Sequence, residues 1–223
     1  MHVAALFDMD GLLIDSEASI MRAWLQVAQR LDAELTPGVY LTLIGRAAPD
    51  AFAVLAKVFG GRSRFELARS MVLAELDATP AGARFPLKAG ALELLAALAA
   101  RGIPCAVASS SAREEIDARL TAVGVRQYFA AAAGGDEVAR GKPDPAVYQL
   151  AASRLGVAPA LCVAFEDSHN GARAALAAGA RLVLVPDLLQ PGDDLRAQAL
   201  AVLASLAEAP TSIGQWFRAP PGG

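Results

Sequence analysis

The sequence predicts a doubly wound α/β core built on a parallel sheet, interrupted after its first strand by an inserted helical domain. Three observations predict it. Short, near-continuous apolar runs recur at Val3–Phe7, Pro104–Ala108, Leu161–Phe165 and Leu182–Val185, the pattern of strands buried on both faces. Helical patterns with readable start and stop signals separate them. Residues 16–85 carry helical stripes and no convincing strand.

Taken in order, the first run is strand-sized and ends directly in Phe7-Asp8-Met9-Asp10-Gly11. The insertion follows, with three apolar stripes at helical spacing: Ile20, Trp24, Val27 and Leu31; Phe52, Leu55 and Phe59; Phe65, Ala68, Val72 and Leu76. Thr79–Pro86, with two prolines and a glycine, reads as a return hinge. A helix over Ala91–Ala100 stops at Gly102 and leads into the run Pro104–Ala108. Ser111-Ala-Arg-Glu114 has the form of a capping box, opening a helix that ends near Gly124. Phe129–Ala133 is a weaker strand candidate because it is mostly alanine. Asp144-Pro145 reads as an N-cap followed by proline at the first helical position, with Gly156 as the stop. After Leu161–Phe165 a helix runs from about Asn170 to Gly179, and Leu182–Val185 closes the alternation. The expected division is a core of residues 1–15 and 86–223 and a helical cap of residues 16–85, with a disordered tail at Ala219–Gly223.

Composition narrows the function. Of 223 residues, 55% are apolar and 19% charged, enough for a sizeable core and too few charges for wholesale disorder. Alanine, at 51 residues, favours helix. No apolar stretch approaches the ~18 residues of a membrane span, and the N-terminus lacks the form of a signal peptide. A net charge of -3 gives no electrostatic footprint for nucleic acid or an anionic membrane. The expectation is a cytoplasmic monomer or small homo-oligomer acting on a small molecule. Cys105 and Cys162 lie inside apolar runs and read as core residues, and His2 and His169 are the only histidines. Zinc sites and histidine-based triads therefore have little to draw on.

The chemistry-bearing residues sit at strand ends, where open parallel sheets bind ligands. Asp8 and Asp10 can converge on one centre. Unit charges about 4 Å apart repel by about 4 kcal/mol at an effective dielectric of about 20, so such a pair needs a cation or a shared proton. Ser109-Ser110-Ser111 follows the second apolar run with hydroxyls and amides suited to phosphate oxygens. Ser111 has an alternative duty as a cap for Glu114, and Ser109 has none. Glu166-Asp167-Ser168 ends the third run with two more carboxylates. Oxygen-only ligands favour Mg²⁺ over zinc. Lys142, one of only three lysines, is wedged between Gly141 and Pro143, a setting that fixes an ammonium group beside carboxylates. Pro143 stands where a P-loop needs Ser or Thr, and no GxGxxG occurs.

Together these four motifs resemble those of the haloacid dehalogenase superfamily, in the subfamily with a helical cap after the first motif. That subfamily includes phosphatases of sugar phosphates and phosphoglycolate, and β-phosphoglucomutase. The first motif matches Asp8–Gly11 and continues through Asp15-Ser16-Glu17; the second matches Ser109, the third Lys142, the fourth Glu166-Asp167. The resemblance implies Asp8 as a nucleophile giving an aspartyl-phosphate and Asp10 as general acid, then base. It implies Mg²⁺ held by Asp8, the backbone carbonyl of Asp10 and Asp167, with Glu166 as ligand or supporting group. Ser109, Ser110 and Lys142 would clamp the phosphoryl oxygens.

Dehalogenases and phosphonate-cleaving members lack an aspartate at the second position, so Asp10 points to phosphate esters. Mutase members carry a histidine ten residues past that aspartate, where this chain has Ile20, so hydrolysis is expected over mutase activity. A non-catalytic binding protein on the same fold is the remaining alternative, although every motif residue is present. Arg46 from the cap and Arg113 from the core are candidate substrate contacts, and the substrate expected is a small phosphorylated metabolite such as a sugar phosphate. Leu12–Asp15 and Ala81–Lys88 are the candidate hinges for cap closure.

Overall fold

The structure, a computed structural model, describes residues 2–44 and 48–217. Arg46 and the tail Ala219–Gly223 lie outside the described residues. The chain divides into two compact units, one of Met1–Asp15 with Pro86–Gly223 and one of Ser16–Phe85.

The first unit opens with β1 (Ala4–Phe7). The second unit follows, its described residues forming α1 (Ser16–Arg30), α2 (Pro37–Leu41), α3 (Ala48–Val58), α4 (Arg62–Ala78) and α5 (Ala81–Arg84). Its core is the three apolar stripes brought together. Trp24, Val27, Leu55, Phe59, Phe65, Ala68 and Val72 are buried, and Trp24 stacks on Phe65 with 6.1 Å between ring centroids. Phe52 departs from its stripe: it is exposed, with its ring 5.4 Å from that of Phe65 and covered by the Arg69 guanidinium. Thr36 caps α2 by accepting from the Val39 amide, and Pro37 supplies the preset first helical residue.

The first unit resumes with α6 (Ala91–Ala99), β2 (Cys105–Ala108), α7 (Arg113–Ala122), β3 (Ala131–Ala133), α8 (Ala146–Arg154), β4 (Cys162–Glu166), α9 (His169–Ala177), β5 (Arg181–Leu184), α10 (Asp193–Gln198), β6 (Ala201–Val202) and α11 (Ile213–Trp216). The strands form one sheet in the order β3-β2-β1-β4-β5-β6, and every pairing is parallel. The chain winds outward from β1 in both directions, so β1 marks the switch point of a doubly wound sheet. Phe7 faces Val107 on one side and Phe165 on the other. The Phe7 and Phe165 rings stack at 4.7 Å and 5°, which pins the two strands whose ends carry Asp8 and Glu166.

The described elements correct the sequence reading in detail. β6 is a sixth, two-residue strand that the apolar runs did not announce. The weak Phe129–Ala133 run becomes the all-alanine β3, Ala131–Ala133. Ala112, not Ser111, occupies the cap position of α7, with no side-chain cap bond. Pro145 occupies the cap position of α8, one residue later than expected, and Asp144 Oδ1 accepts from the Ala146 amide at 3.1 Å. Ser168 caps α9 by accepting from the Gly171 amide. Both cysteines are free and buried. Burial pushes the Cys105 thiol up to about 12 and that of Cys162 to about 11, which leaves both inert near neutrality. Among the described residues no helix is long and apolar enough to cross a membrane.

Candidate active site

The carboxyl ends of β1, β2 and β4 carry the functional side chains. Asp8 keeps β1 in register through its amide, which donates to the Phe165 carbonyl at 3.1 Å, while its side chain leaves the ladder. The chain then turns tightly. Gly11, with φ of 87°, lies in the left-handed region, and its amide donates to Ile14 at 2.9 Å. Gly11 has a second constraint. A Cβ there would overlap the Asp167 carboxylate and approach Asp187 Oδ2 at 3.3 Å. The turn thus requires a residue with neither Cβ nor a right-handed preference, and it brings Asp167 against the β1 loop.

Lys142 joins the first and fourth motifs. Its Nζ donates to Asp8 Oδ1 at 2.5 Å and to Glu166 Oε1 at 2.6 Å, with 6%, 9% and 0% of the three side chains exposed. Burial alone would favour loss of the lysine proton, but Asp8 and Glu166 more than reverse this and hold the ammonium charged well above the ordinary lysine value. Burial raises the Asp8 carboxyl to about 7, against the pull of Lys142 and with the charges of Glu166 and Asp10 adding to the rise.

Glu166 is a supported group rather than an open one. Tyr148 donates its hydroxyl to Oε1 at 2.8 Å, and Oε2 accepts from the amides of Asp167 and Ser168 at 3.1 Å and from the Ser168 hydroxyl at 3.0 Å. Asp167 differs. Among the described residues its Oδ1, which is buried, has no hydrogen-bond partner, and burial, then Asp8 and Glu166, raise its carboxyl well above the usual range. Asp8, Glu166 and Asp167 each offer one oxygen, all within 4.8 Å of one another. A buried carboxylate oxygen without a donor, in an all-oxygen cluster, fits a hard divalent cation such as Mg²⁺.

The second aspartate is held separately. Asp10 Oδ1 accepts from Arg119 Nη1 at 2.7 Å and Oδ2 from the Ser111 hydroxyl at 2.8 Å. Ser109 is buried at the end of β2, where its amide donates to Ala133. Its Oγ accepts from the Ser111 amide at 3.0 Å, a duty the sequence did not announce. Ser110 is exposed beside it. The structure does not bring Arg113 to the cluster: its guanidinium pairs with Asp117 one helical turn away, and its amide donates to Asp136.

Sequence reasoning missed Tyr148, Arg119 and the pair Lys88–Asp187, whose Nζ and Oδ1 lie 2.5 Å apart. Asp187 follows the last apolar run at a strand end, so the same rule that singled out Asp8 would have found it. Arg119 and Tyr148 lie inside helices, where only the fold shows which face they present.

The comparisons with known proteins agree with this geometry. A family model described as haloacid dehalogenase-like hydrolase matches residues 3–179. Validoxylamine A 7'-phosphate phosphatase from Streptomyces hygroscopicus subsp. limoneus is 37% identical over 180 residues, spanning 80% of this chain and 83% of the relative. Hexitol phosphatase B from Escherichia coli K12 is 33% identical over 216 residues, spanning 92% and 93%. The crystal structure of a HAD family hydrolase from Deinococcus radiodurans R1, with bound phosphate and sodium, superposes with a TM-score of 0.81 at 31% identity, covering 98% of this chain and 99% of that one.

Proposed function

The chain belongs to the haloacid dehalogenase-like hydrolases and is a phosphoric monoester hydrolase; from that premise we propose that it hydrolyses small sugar phosphates with Mg²⁺ through an aspartyl-phosphate on Asp8. The observation that carries this reading is the Asp8–Lys142–Glu166 arrangement beside the unpartnered Asp167 Oδ1. Asp8, Asp167 and the Asp10 carbonyl would hold the cation. When bound, Mg²⁺ supplies positive charge for the carboxylates and the phosphoryl oxygens.

The chain's own residues perform the steps. Lys142 draws Asp8 toward its ionised form, against the rise that burial imposes, and fixes its orientation. An Asp8 oxygen attacks phosphorus, and the bond from phosphorus to the ester oxygen breaks as the new one forms. The leaving oxygen takes the proton of the Asp10 carboxyl and departs as an alcohol. Asp10, now a carboxylate, takes a proton from water, whose oxygen bonds to phosphorus and displaces Asp8. Inorganic phosphate leaves, with Asp8 ionised and Asp10 protonated again. Ser109, Ser110 and Lys142 neutralise and orient the phosphoryl oxygens, the larger part of catalysis for a transfer with little covalent demand on the protein.

The names of the relatives support the substrate class: one is a validoxylamine A 7'-phosphate phosphatase and one a hexitol phosphatase. The helical unit Ser16–Phe85 is proposed as the cap that selects the carbon skeleton. Ile20, in the position of the mutase histidine, is partly buried against the apolar core of that unit and offers no proton, which favours water as the acceptor. Purified protein with Mg²⁺ is tested against a panel of phosphate monoesters, with sugar phosphates expected to give the highest kcat/KM and Asp8→Asn to release no phosphate. Full activity in Asp8→Asn overturns the mechanism, and isomerised sugar phosphate exceeding released phosphate assigns the chain to the mutases.

A further inference from the structure

Asp10 is held by a two-point clamp that the motif reading did not contain. Arg119 Nη1 meets Oδ1 at 2.7 Å and the Ser111 hydroxyl meets Oδ2 at 2.8 Å. The clamp is closed on itself, since Arg119 Nη1 also lies 3.4 Å from Ser111 Oγ. All three side chains are partly buried: Asp10 is 24% and Arg119 25% exposed.

The two donors are chemically unequal. A guanidinium carries only N–H donors and keeps its charge, so the oxygen facing it can only accept. A hydroxyl can donate or, after rotating, accept. Oδ1 is therefore committed to Arg119 throughout a catalytic cycle. Oδ2 can accept from Ser111 when the carboxyl is ionised and donate when it carries a proton. The helix explains the reach. Side chains on an α-helix lean toward its N-terminus, so an arginine within α7 can return to the strand edge from which the helix departs. A surface role is the weaker account of Arg119. Its contact with Glu115 at 3.4 Å involves a glutamate that is 54% exposed, and exposed pairs of that kind contribute about 0–1 kcal/mol.

We infer that Arg119 is a positioning residue for proton transfer: it fixes Oδ1 of Asp10 as a permanent acceptor and so makes Oδ2, beside Ser111, the oxygen that hands the proton to the leaving group. The inference rests on the reading of Asp10 as the general acid, and the test separates the two.

Kinetics are measured with a series of aryl phosphates from 2,4-dinitrophenyl phosphate to phenyl phosphate, on the full chain with Mg²⁺, for wild type, Asp10→Asn, Arg119→Met, Arg119→Lys and Asp10→Asn/Arg119→Met. An acidic leaving group departs without a proton, whereas phenol requires one. Arg119→Met should lower kcat/KM, which ends at phosphorylation of Asp8, on phenyl phosphate by about 10–100-fold, no more than the lower range of a general acid's worth. It should lower kcat/KM on 2,4-dinitrophenyl phosphate by no more than a few-fold, because that ratio excludes the later hydrolysis in which Asp10 acts as base. Arg119→Lys should recover part of the loss, and the Arg119 effect should vanish in the Asp10→Asn background. Equal losses across the series, or losses that multiply in the double variant, overturn the inference while a steep leaving-group dependence in Asp10→Asn leaves the function standing. A flat dependence in Asp10→Asn overturns the acid role of Asp10 and this inference with it. Should Arg119→Met fail to fold by circular dichroism, Arg119→Lys alone decides: an unaltered leaving-group dependence there, with kcat/KM lowered evenly, counts against the inference.

Discussion

The Tyr148 hydroxyl donates to Glu166 Oε1 at 2.8 Å inside the protein, where neither side chain reaches solvent. The same oxygen accepts from Lys142, whose ammonium also lies 5.0 Å from the centre of the Tyr148 ring. A buried carboxylate is thus shared between a permanent cation and a neutral donor. Tyr148→Phe keeps the ring and removes the hydroxyl, so Lys142 retains both its carboxylates. Loss of a hydrogen bond to a charged group should cost about 1.5–3 kcal/mol of stability. Urea unfolding reads that loss, and KM for the preferred phosphate ester should change less than stability does.

Gly171 permits the carboxylate of Glu166 to sit against α9. A Cβ at this position would overlap both Glu166 oxygens. Helix propensity alone would make Gly171→Ala stabilising by about 1 kcal/mol. Overpacking costs about 1–3 kcal/mol, and displacing Glu166 also deprives Lys142 and Tyr148 of their shared acceptor. The net effect should be a lower melting temperature and a lower kcat. Gly214→Ala, in α11 where an added Cβ meets nothing within 4 Å, is the control and should leave both unchanged or raise stability slightly.

Binding of a divalent cation should show as stability before any substrate is added. A ligand at a hundred times its Kd stabilises the folded state by about 2.7 kcal/mol. Mg²⁺ should therefore raise the melting temperature of the phosphate-free protein, and EDTA should reverse the rise and abolish phosphate release. Asp167→Asn should remove the thermal shift. A shift of wild-type size in that variant would take Asp167 out of the cation site.

Glu137 provides a pH dependence away from the cluster. Hydrogen bonds from Arg154 lower its carboxyl to about 2, against a smaller cost of desolvation, with the Gly134 amide adding to the fall. The Arg154 guanidinium meets both Glu137 oxygens at 2.8 and 2.9 Å and also reaches the Ala132 carbonyl, tying β3 to α8. A carboxyl depressed on folding binds its proton more tightly in the unfolded chain. Its stabilisation is complete above about 4.5, the ordinary glutamate value, and disappears as pH falls toward 2. Glu137→Gln should flatten the part of the melting profile that falls in this window and lower stability at neutral pH.

Much of this was legible in the sequence because parallel strands buried on both faces leave unmistakable apolar runs, and chemistry at their ends is set by topology. Asp8, Glu166 and Asp167 could be singled out for that reason, and Lys142 by the scarcity of lysine and its place between Gly141 and Pro143. The β6 strand, two residues long at the sheet edge, has too few side chains to form a pattern. Ser111 misled because a hydroxyl three residues before a glutamate has the form of a capping box, whereas Asp10 competes for the same hydroxyl in the folded chain. Tyr148 and Arg119 depend on which helical face turns toward the sheet edge. That orientation is fixed by packing, not by local spacing.

One face of the sheet in the first unit packs against its helices largely through alanine: Ala4, Ala106, Ala108, Ala131, Ala133 and Ala164 from strands meet Ala151, Ala152, Ala172, Ala174 and Ala175 from helices. A methyl is the shortest side chain above glycine, so neighbouring backbones lie near their limit of approach. Any change at these places other than to glycine therefore adds bulk that the interface has little room to admit. Substitution should be tolerated far better in the loops than in this interior, where the packing of methyl groups leaves little room.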